Sequence, residues 1–216
     1  MKMKKLLYIT CNSKPEEASA SKTVARYFLE ELKAKQGQFE VEELDLYNMK
    51  IPELKTCYLD GRCNLVEGDD YSKLPSADQE NIKQIKLLAE QFKQADFYLI
   101  AAPLWNMKIP GYLSMYFDSI NINKITLTIQ PNEVSGRLDD KERTAVYVQA
   151  SGGSVTPGEP NSQKNHAGLY VQDLLSFMGI KHYHEVLVEN TGYTEEEQHK
   201  AVAKGKEDAK ELVKKL

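Results

Sequence analysis

The chain has 216 residues, of which 41% are hydrophobic and 28% are charged, and its formal net charge is −4. This composition is ordinary for a soluble domain, and the mild acidity argues against a nucleic-acid binder, which needs a basic surface. No apolar run approaches the roughly 20 residues that span a bilayer, and three cysteines cannot form a disulfide scaffold. We therefore expect a cytoplasmic protein that handles a small molecule.

The first part of the chain predicts strands alternating with helices. An apolar run over residues 6–10 is typical of a strand buried on both faces, and apolar residues at helical spacing over 24–32 predict the helix that follows. Residues 39–44 alternate in polarity and predict a second strand. The segment 45–75 has scattered apolar residues, prolines and glycines, and an irregular stretch of this length is usually functional.

The alternation continues to the C-terminus. The remaining predicted elements are, in chain order, a helix over 82–92, a strand over 97–102, a helix over 110–120, an irregular excursion over 122–141, a strand over 144–149, a helix over 166–178, a strand over 181–188 and a helix from 195. Gly179 predicts a helix C-cap, and Thr194 followed by three glutamates predicts an N-cap.

Five repeats of strand and helix predict an α/β fold, in which parallel strands are joined by right-handed crossovers and covered by helices on both faces. Five strands fit the flavodoxin-like three-layer sandwich, with the sheet order 2-1-3-4-5. Neither an internal repeat nor a low-complexity linker divides the chain. We therefore expect a single domain over residues 1–216.

Ligands of such sheets bind beyond the carboxyl ends of the strands, where the strand order reverses. The loop after the first strand carries Asn12, Ser19 and Ser21 and leads into a helix N-terminus, whose free N–H groups and dipole suit a phosphate. It has neither the Walker motif G-x-x-x-x-G-K-[ST] nor the dinucleotide motif G-x-G-x-x-G. Taken alone, such serines more often only cap a helix.

Cys11 follows the first strand, as the nucleophile does in low-molecular-weight tyrosine phosphatases. Those enzymes need an arginine six residues later, and that position here holds Glu17, beside Glu16. Two carboxylates would repel a phosphoester. We therefore reject a phosphatase and interpret Cys11 as a small buried residue.

The loops after the third and fourth predicted strands are also distinctive. The single tryptophan, Trp105, lies between two prolines, where it could pack against a planar ring while Asn106 reads the edge of that ring. The alternative is a hydrophobic plug between helix and sheet. Gly152 and Gly153 let backbone N–H groups approach a ligand, although a plain turn is the simpler interpretation.

Together the three loops resemble those of the FMN-dependent NADH-azoreductase and quinone reductase family. The most specific element is A-P-L-W-N-M-x-I-P over 102–110, followed by L-x-x-Y-x-D-x-I over 113–120. The sequence Ser-Ala-Ser over 19–21, the two glycines at 152 and 153, and L-x-F-M-G-I over 175–180 complete the resemblance, which covers most of the chain.

The resemblance implies FMN-binding roles by position. The phosphate would be held by Asn12, Ser19, Ala20 and Ser21, the isoalloxazine would be lined by Pro103, Leu104, Trp105, Asn106 and Met107, and its pyrimidine edge would face Ala150, Ser151, Gly152 and Gly153. Many members of the family carry arginine where Ser151 stands, so one cation near the flavin is missing here. No catalytic residue is implied.

The resemblance also implies that two electrons pass from NADH or NADPH through flavin N5 to a quinone or azo compound. Both substrates would use one pocket in turn, which gives ping-pong kinetics. It further implies a homodimer with flavin sites at the interface, where we place the excursions 45–75 and 122–141. The alternatives are a flavodoxin-like electron carrier, an FMN-binding redox sensor, and a reductase of iron, chromate or free flavin on the same fold.

A metal site is not predicted. His182 and His184 alternate along a predicted strand, as a pair of metal ligands could. Neither a carboxylate nor a cysteine completes a convincing ligand set, so we interpret both as surface or edge-strand histidines.

Overall fold

The computed structural model describes residues 3–216, which form a parallel sheet of five strands and a separate antiparallel hairpin. The sheet strands are β1 (Lys4–Thr10), β2 (Phe39–Asp45), β3 (Phe97–Pro103), β6 (Thr144–Ala150) and β7 (His182–Val188). The hairpin strands are β4 (Leu127–Gln130) and β5 (Glu133–Gly136). The α-helices are α1 (Ala20–Gln36), α2 (Gly68–Ser72), α3 (Ser76–Gln94), α4 (Gly111–Ile120), α5 (His166–Met178) and α6 (Glu195–Lys215).

The strands of the large sheet follow the order β2-β1-β3-β6-β7, and this is a flavodoxin-like α/β fold. The predicted order 2-1-3-4-5 is replaced by 2-1-3-6-7, because the sequence did not reveal the hairpin that precedes β6. That hairpin lies inside the excursion predicted to be irregular over 122–141.

Alternate side chains of the central strands enter two different cores. Leu6 and Tyr8 on β1 pack with α1 and α6, whereas Leu7 and Ile9 pack with α3, α4 and α5. All four side chains are buried. A strand that is covered on both faces needs apolar residues at every position, which explains the unbroken apolar runs in the sequence.

Two of the predicted helix ends are confirmed. Gly179 ends α5 in the left-handed conformation, at a φ of 104°. Thr194 and Glu197 form a reciprocal capping box at the start of α6, in which the threonine hydroxyl accepts the N–H of Glu197 and the glutamate accepts the N–H of Thr194.

The excursion over 45–75 is packed against the body of the protein. Tyr58, Leu65 and Val66 bury their side chains against Ile82 and Ile85 of α3 in a third apolar cluster. The excursion is therefore seated on α3. No helix among residues 3–216 is long and apolar enough to cross a membrane.

Candidate functional site

The three loops singled out in the sequence leave neighbouring strands at one edge of the sheet. Thr10 on β1 is in register with Ala101 on β3, and Pro103 on β3 is in register with Ala150 on β6. The N–H of Leu104 donates to the carbonyl oxygen of Ala150 at 2.7 Å. This bond joins the second loop directly to the third.

Hydroxyl and amide groups cluster in the first loop. Ser19 is the N-cap of α1, and its Oγ accepts the N–H of Lys22 at 3.4 Å and the side-chain amide of Asn12 at 3.0 Å. The Oγ of Ser21 lies 3.4 Å from that of Ser19. The structure thus brings together three of the predicted phosphate-binding side chains at a helix N-terminus, where the helix dipole favours an anion.

Ion pairs hold this loop against the sheet. The guanidinium of Arg26 bonds Glu16 at 3.0 Å and Glu43 at 2.7 Å, and the pKa of Glu43 is lowered by its hydrogen bond to Arg26. Lys22 reaches Asp45 at the end of β2, with Nζ 3.4 Å from Oδ2. Arg26 therefore compensates the charge of Glu16 without taking part in the hydroxyl cluster.

Cys11 is fully buried at the end of β1, as predicted. Burial raises the pKa of its thiol to about 12. A phosphatase nucleophile has to be a thiolate near neutral pH, so this environment agrees with the rejection of that class.

The second loop is a tight turn between β3 and α4. The N–H of Trp105 donates to the carbonyl of Lys108 at 2.9 Å, and the N–H of Lys108 returns a bond of 3.1 Å. Asn106 and Met107 between them have φ angles of 50° and 63°, as in a type I′ turn. Methionine rarely adopts this conformation, and strain of this kind is concentrated at functional sites.

The same turn exposes apolar side chains and unbonded backbone N–H groups at the carboxyl ends of the strands. Trp105 is 55% exposed and Met107 is 46% exposed, which is unusual for large apolar side chains. The N–H groups of Asn106 and Met107 donate no backbone hydrogen bond to any of residues 3–216. A planar ring with acceptor atoms on its edge would cover the apolar surface and use these donors.

The third loop is tied down on both sides of its glycines. The hydroxyl of Ser151 donates to the carbonyl of Gly153 at 2.7 Å, and the N–H of Thr191 donates to the carbonyl of Ser151 at 3.1 Å. The side chain of Ser151 is thus committed to its own loop.

Glu189, which follows β7, anchors the end of this loop, a role that was not predicted from the sequence. Its carboxylate accepts the hydroxyl of Ser154 at 3.1 Å, the N–H of Val155, and both the N–H and the hydroxyl of Thr156 at 2.7 Å. Burial opposes ionisation of Glu189, but these hydrogen bonds outweigh it and lower the pKa.

Nothing in the chain itself requires glycine at positions 152 and 153. A Cβ atom built on Gly152 or Gly153 would meet no atom of residues 3–216 within 4 Å, and neither φ angle lies in the left-handed region. A side chain at either position would instead project into open space. Close approach of a ligand is one physical use of glycine at such an open position.

The arrangement therefore fits FMN. A hydroxyl-rich helix N-terminus suits the phosphate, the exposed side chains of the second loop suit a flat ring, and the open glycines suit its polar edge. Residues 3–216 contain no cluster of three or more His, Cys, Asp or Glu side chains that could hold a metal ion. His182 bonds Glu142 at 2.7 Å, and burial together with the neighbouring His182 lowers the pKa of His184.

The relatives found by sequence comparison carry the same name. The family described as having a flavodoxin-like fold matches residues 4–213. An FMN-dependent NADH:quinone oxidoreductase of Clostridium botulinum (strain Eklund 17B / Type B) is 46% identical over 205 residues, which cover 94% of each chain. A relative with the same name from Ruminiclostridium cellulolyticum is 41% identical and covers 98% of this chain and 99% of its own.

Structure comparison points to azoreductases. An azoreductase from Bacillus anthracis str. Sterne superposes with a TM-score of 0.81 at 24% identity, covering 99% of this chain and all of its own. An FMN-dependent NADH-azoreductase from Bacillus anthracis str. Ames Ancestor, solved in complex with FMN, gives a TM-score of 0.78 at 26% identity and covers 98% of this chain and all of its own. The chain therefore belongs to the flavodoxin-like family, among relatives named FMN-dependent NADH:quinone oxidoreductases.

Proposed function

We propose that the chain is an FMN-dependent oxidoreductase that passes two electrons from NADH or NADPH to quinones and azo compounds. The names of its relatives and the FMN complex of the 26% identical azoreductase support this activity. The observation in the structure that supports it best is the pair of glycines, Gly152 and Gly153, facing open space beside a turn with free N–H donors. We propose further that residues 1–216 form one domain.

The FMN site comprises the residues predicted from the sequence. In this proposal Asn12, Ser19, Ala20 and Ser21 hold the phosphate, Pro103, Leu104, Trp105, Asn106 and Met107 line the ring, and Ala150, Ser151, Gly152 and Gly153 face its pyrimidine edge. Bound FMN would supply the redox chemistry, a transfer of two electrons from the nicotinamide to the acceptor.

In this proposal the chain positions the flavin ring and offers hydrogen-bond donors to it. Trp105 and Met107, whose side chains are exposed, would exclude water from one side of the ring, and the free N–H groups of the 105–108 turn would be available to its polar atoms. Backbone N–H groups of the third loop would stabilise negative charge on the reduced ring. Since the side chain of Ser151 bonds the carbonyl of Gly153, backbone groups have to do what an arginine does in other members of the family.

Steady-state kinetics test both the enzyme assignment and the ping-pong order. We expect the FMN-loaded chain to oxidise NADH or NADPH with menadione and with methyl red as acceptors. Double-reciprocal plots at several acceptor concentrations should be parallel, because the donor product leaves before the acceptor enters. FMN that binds but supports turnover of neither acceptor would instead favour an electron carrier or a redox sensor.

The proposal includes a homodimer. Four apolar side chains on α4 and α5 are each at least 41% exposed, and we refer to them as the apolar patch: Tyr112, Leu169, Tyr170 and Phe177. The ring of Tyr170 lies 6.2 Å from that of Phe117, which joins the two helices, and Tyr47 of the first excursion packs on Tyr112 at 4.8 Å. Apolar surface of this kind is typical of interfaces.

We place the partner subunit on this patch, flanked by the excursions 45–75 and 122–141. Sedimentation of the FMN-loaded chain should give the mass of two chains. A single-chain mass at concentrations well above those of the kinetic assay would contradict the dimer and the placement of the flavin sites at its interface.

A further inference from the structure

The side chain of Gln149 is fully buried, and neither its amide nitrogen nor its amide oxygen has a hydrogen-bond partner among residues 3–216. Buried amides are almost always paired, because an unpaired one gives up its bonds to water and gains nothing in return. Two unpaired polar atoms on one side chain therefore require an explanation.

Gln149 is the next-to-last residue of β6 and lies just before the third loop of the candidate site. It is the residue before Ala150, whose carbonyl accepts the N–H of Leu104, and it is in register with Ala102 on β3. Its side chain faces the layer of α3, α4 and α5, since Tyr147 packs there and side chains alternate along a strand. The amide is thus enclosed at the junction of the second and third loops.

We propose that Gln149 is a further FMN-binding residue, whose side chain turns out of the core and hydrogen-bonds the isoalloxazine through its amide. The inference rests on the proposed function, because it needs the FMN site. A primary amide presents both donors and an acceptor, which match the alternating acceptors and donor along the pyrimidine part of the ring. Only Ala150 separates Gln149 from the third loop, so the turn is a change of rotamer at the very end of β6.

This role predicts opposite effects on the free and the loaded chain. Gln149→Leu removes the unpaired atoms at similar volume, so the FMN-free chain should unfold at the same temperature as the wild type or higher. FMN binding should weaken at least tenfold, because the amide's bonds to the ring are lost. The dissociation constant is measured from the quenching of FMN fluorescence, and the unfolding temperature is measured without FMN.

Tyr147 provides the matched control. Its hydroxyl is also buried and unpaired on the same face of β6, but it lies two residues farther from the loops. Tyr147→Phe should leave the FMN-free chain as stable as the wild type or more so, and should leave FMN affinity unchanged. If leucine cannot be accommodated at 149, Gln149→Met gives the same comparison with a more adaptable side chain.

The FMN dissociation constant decides the outcome. A loss of at least tenfold in Gln149→Leu or Gln149→Met, with none in Tyr147→Phe, is the expected result. Wild-type affinity in the Gln149 variants would overturn the inference, and a simultaneous loss of stability in the FMN-free variant would assign the amide to an internal water instead. Failure of the wild type itself to bind FMN would overturn the proposed function, so the two failures are distinguishable.

Discussion

Gly152→Ala is expected to weaken FMN binding at least tenfold without destabilising the FMN-free chain. The added Cβ would meet no atom of residues 3–216 within 4 Å, and the φ angle is not one that demands glycine. At such a position alanine commonly stabilises by about 0.4–1 kcal/mol, because it restricts the unfolded chain. The cost appears only when FMN approaches the loop, and a tenfold loss corresponds to about 1.4 kcal/mol of binding free energy.

Gly111→Ala is the matched control for this prediction. Gly111 begins α4, also faces open space and also has an ordinary φ angle, but it has no proposed contact with FMN. Both variants should therefore unfold at or above the wild-type temperature, and only Gly152→Ala should lose FMN affinity. Equal affinities in the two variants would mean that the third loop does not approach the cofactor.

Gly136→Ala is expected to destabilise the protein by roughly 1–3 kcal/mol, since it forces overlap in a packed region. A Cβ atom at Gly136 would overlap the backbone carbonyl groups of Met178 and Phe177 at the end of α5. Those groups cannot easily retreat, because the carbonyl oxygen of Met178 already accepts the N–H of Leu138 at 2.8 Å. Chemical denaturation of the FMN-free chain measures the loss.

The comparison with Gly111→Ala separates this steric effect from the general effect of replacing glycine. Gly136→Ala should lower the denaturation midpoint strongly, whereas Gly111→Ala should not lower it. A Gly136→Ala chain with wild-type stability would show that the hairpin is not seated on α5.

The sequence predicted the parallel sheet because its central strands are covered on both faces and are therefore apolar throughout, as over 97–102. It did not predict the β4–β5 hairpin. Each of its strands has only four residues, which is too short to show a clear alternation, and Val134 is exposed. The contact that seats the hairpin, between Gly136 and α5, joins residues about 40 positions apart, so no local pattern could reveal it.

The candidate site also contains residues that could be predicted from the sequence and residues that could not. Ser19 and Gly152 could be singled out because their residue types suit a helix N-terminus and a close approach, and both lie in loops that follow predicted strands. Glu189 and Gln149 could not be singled out from the sequence. The role of Glu189 depends on partners more than 30 residues away, and Gln149 is notable only because its surroundings leave the amide unpaired.

Anaerobic addition of NADH to the FMN-loaded chain tests the proposed function most directly. If FMN lies against the three loops with one face open to the nicotinamide, one equivalent of NADH or NADPH should bleach the visible absorption of the flavin, and menadione should restore it. A chain that retains no FMN, or holds FMN that neither nucleotide bleaches, would contradict the assignment.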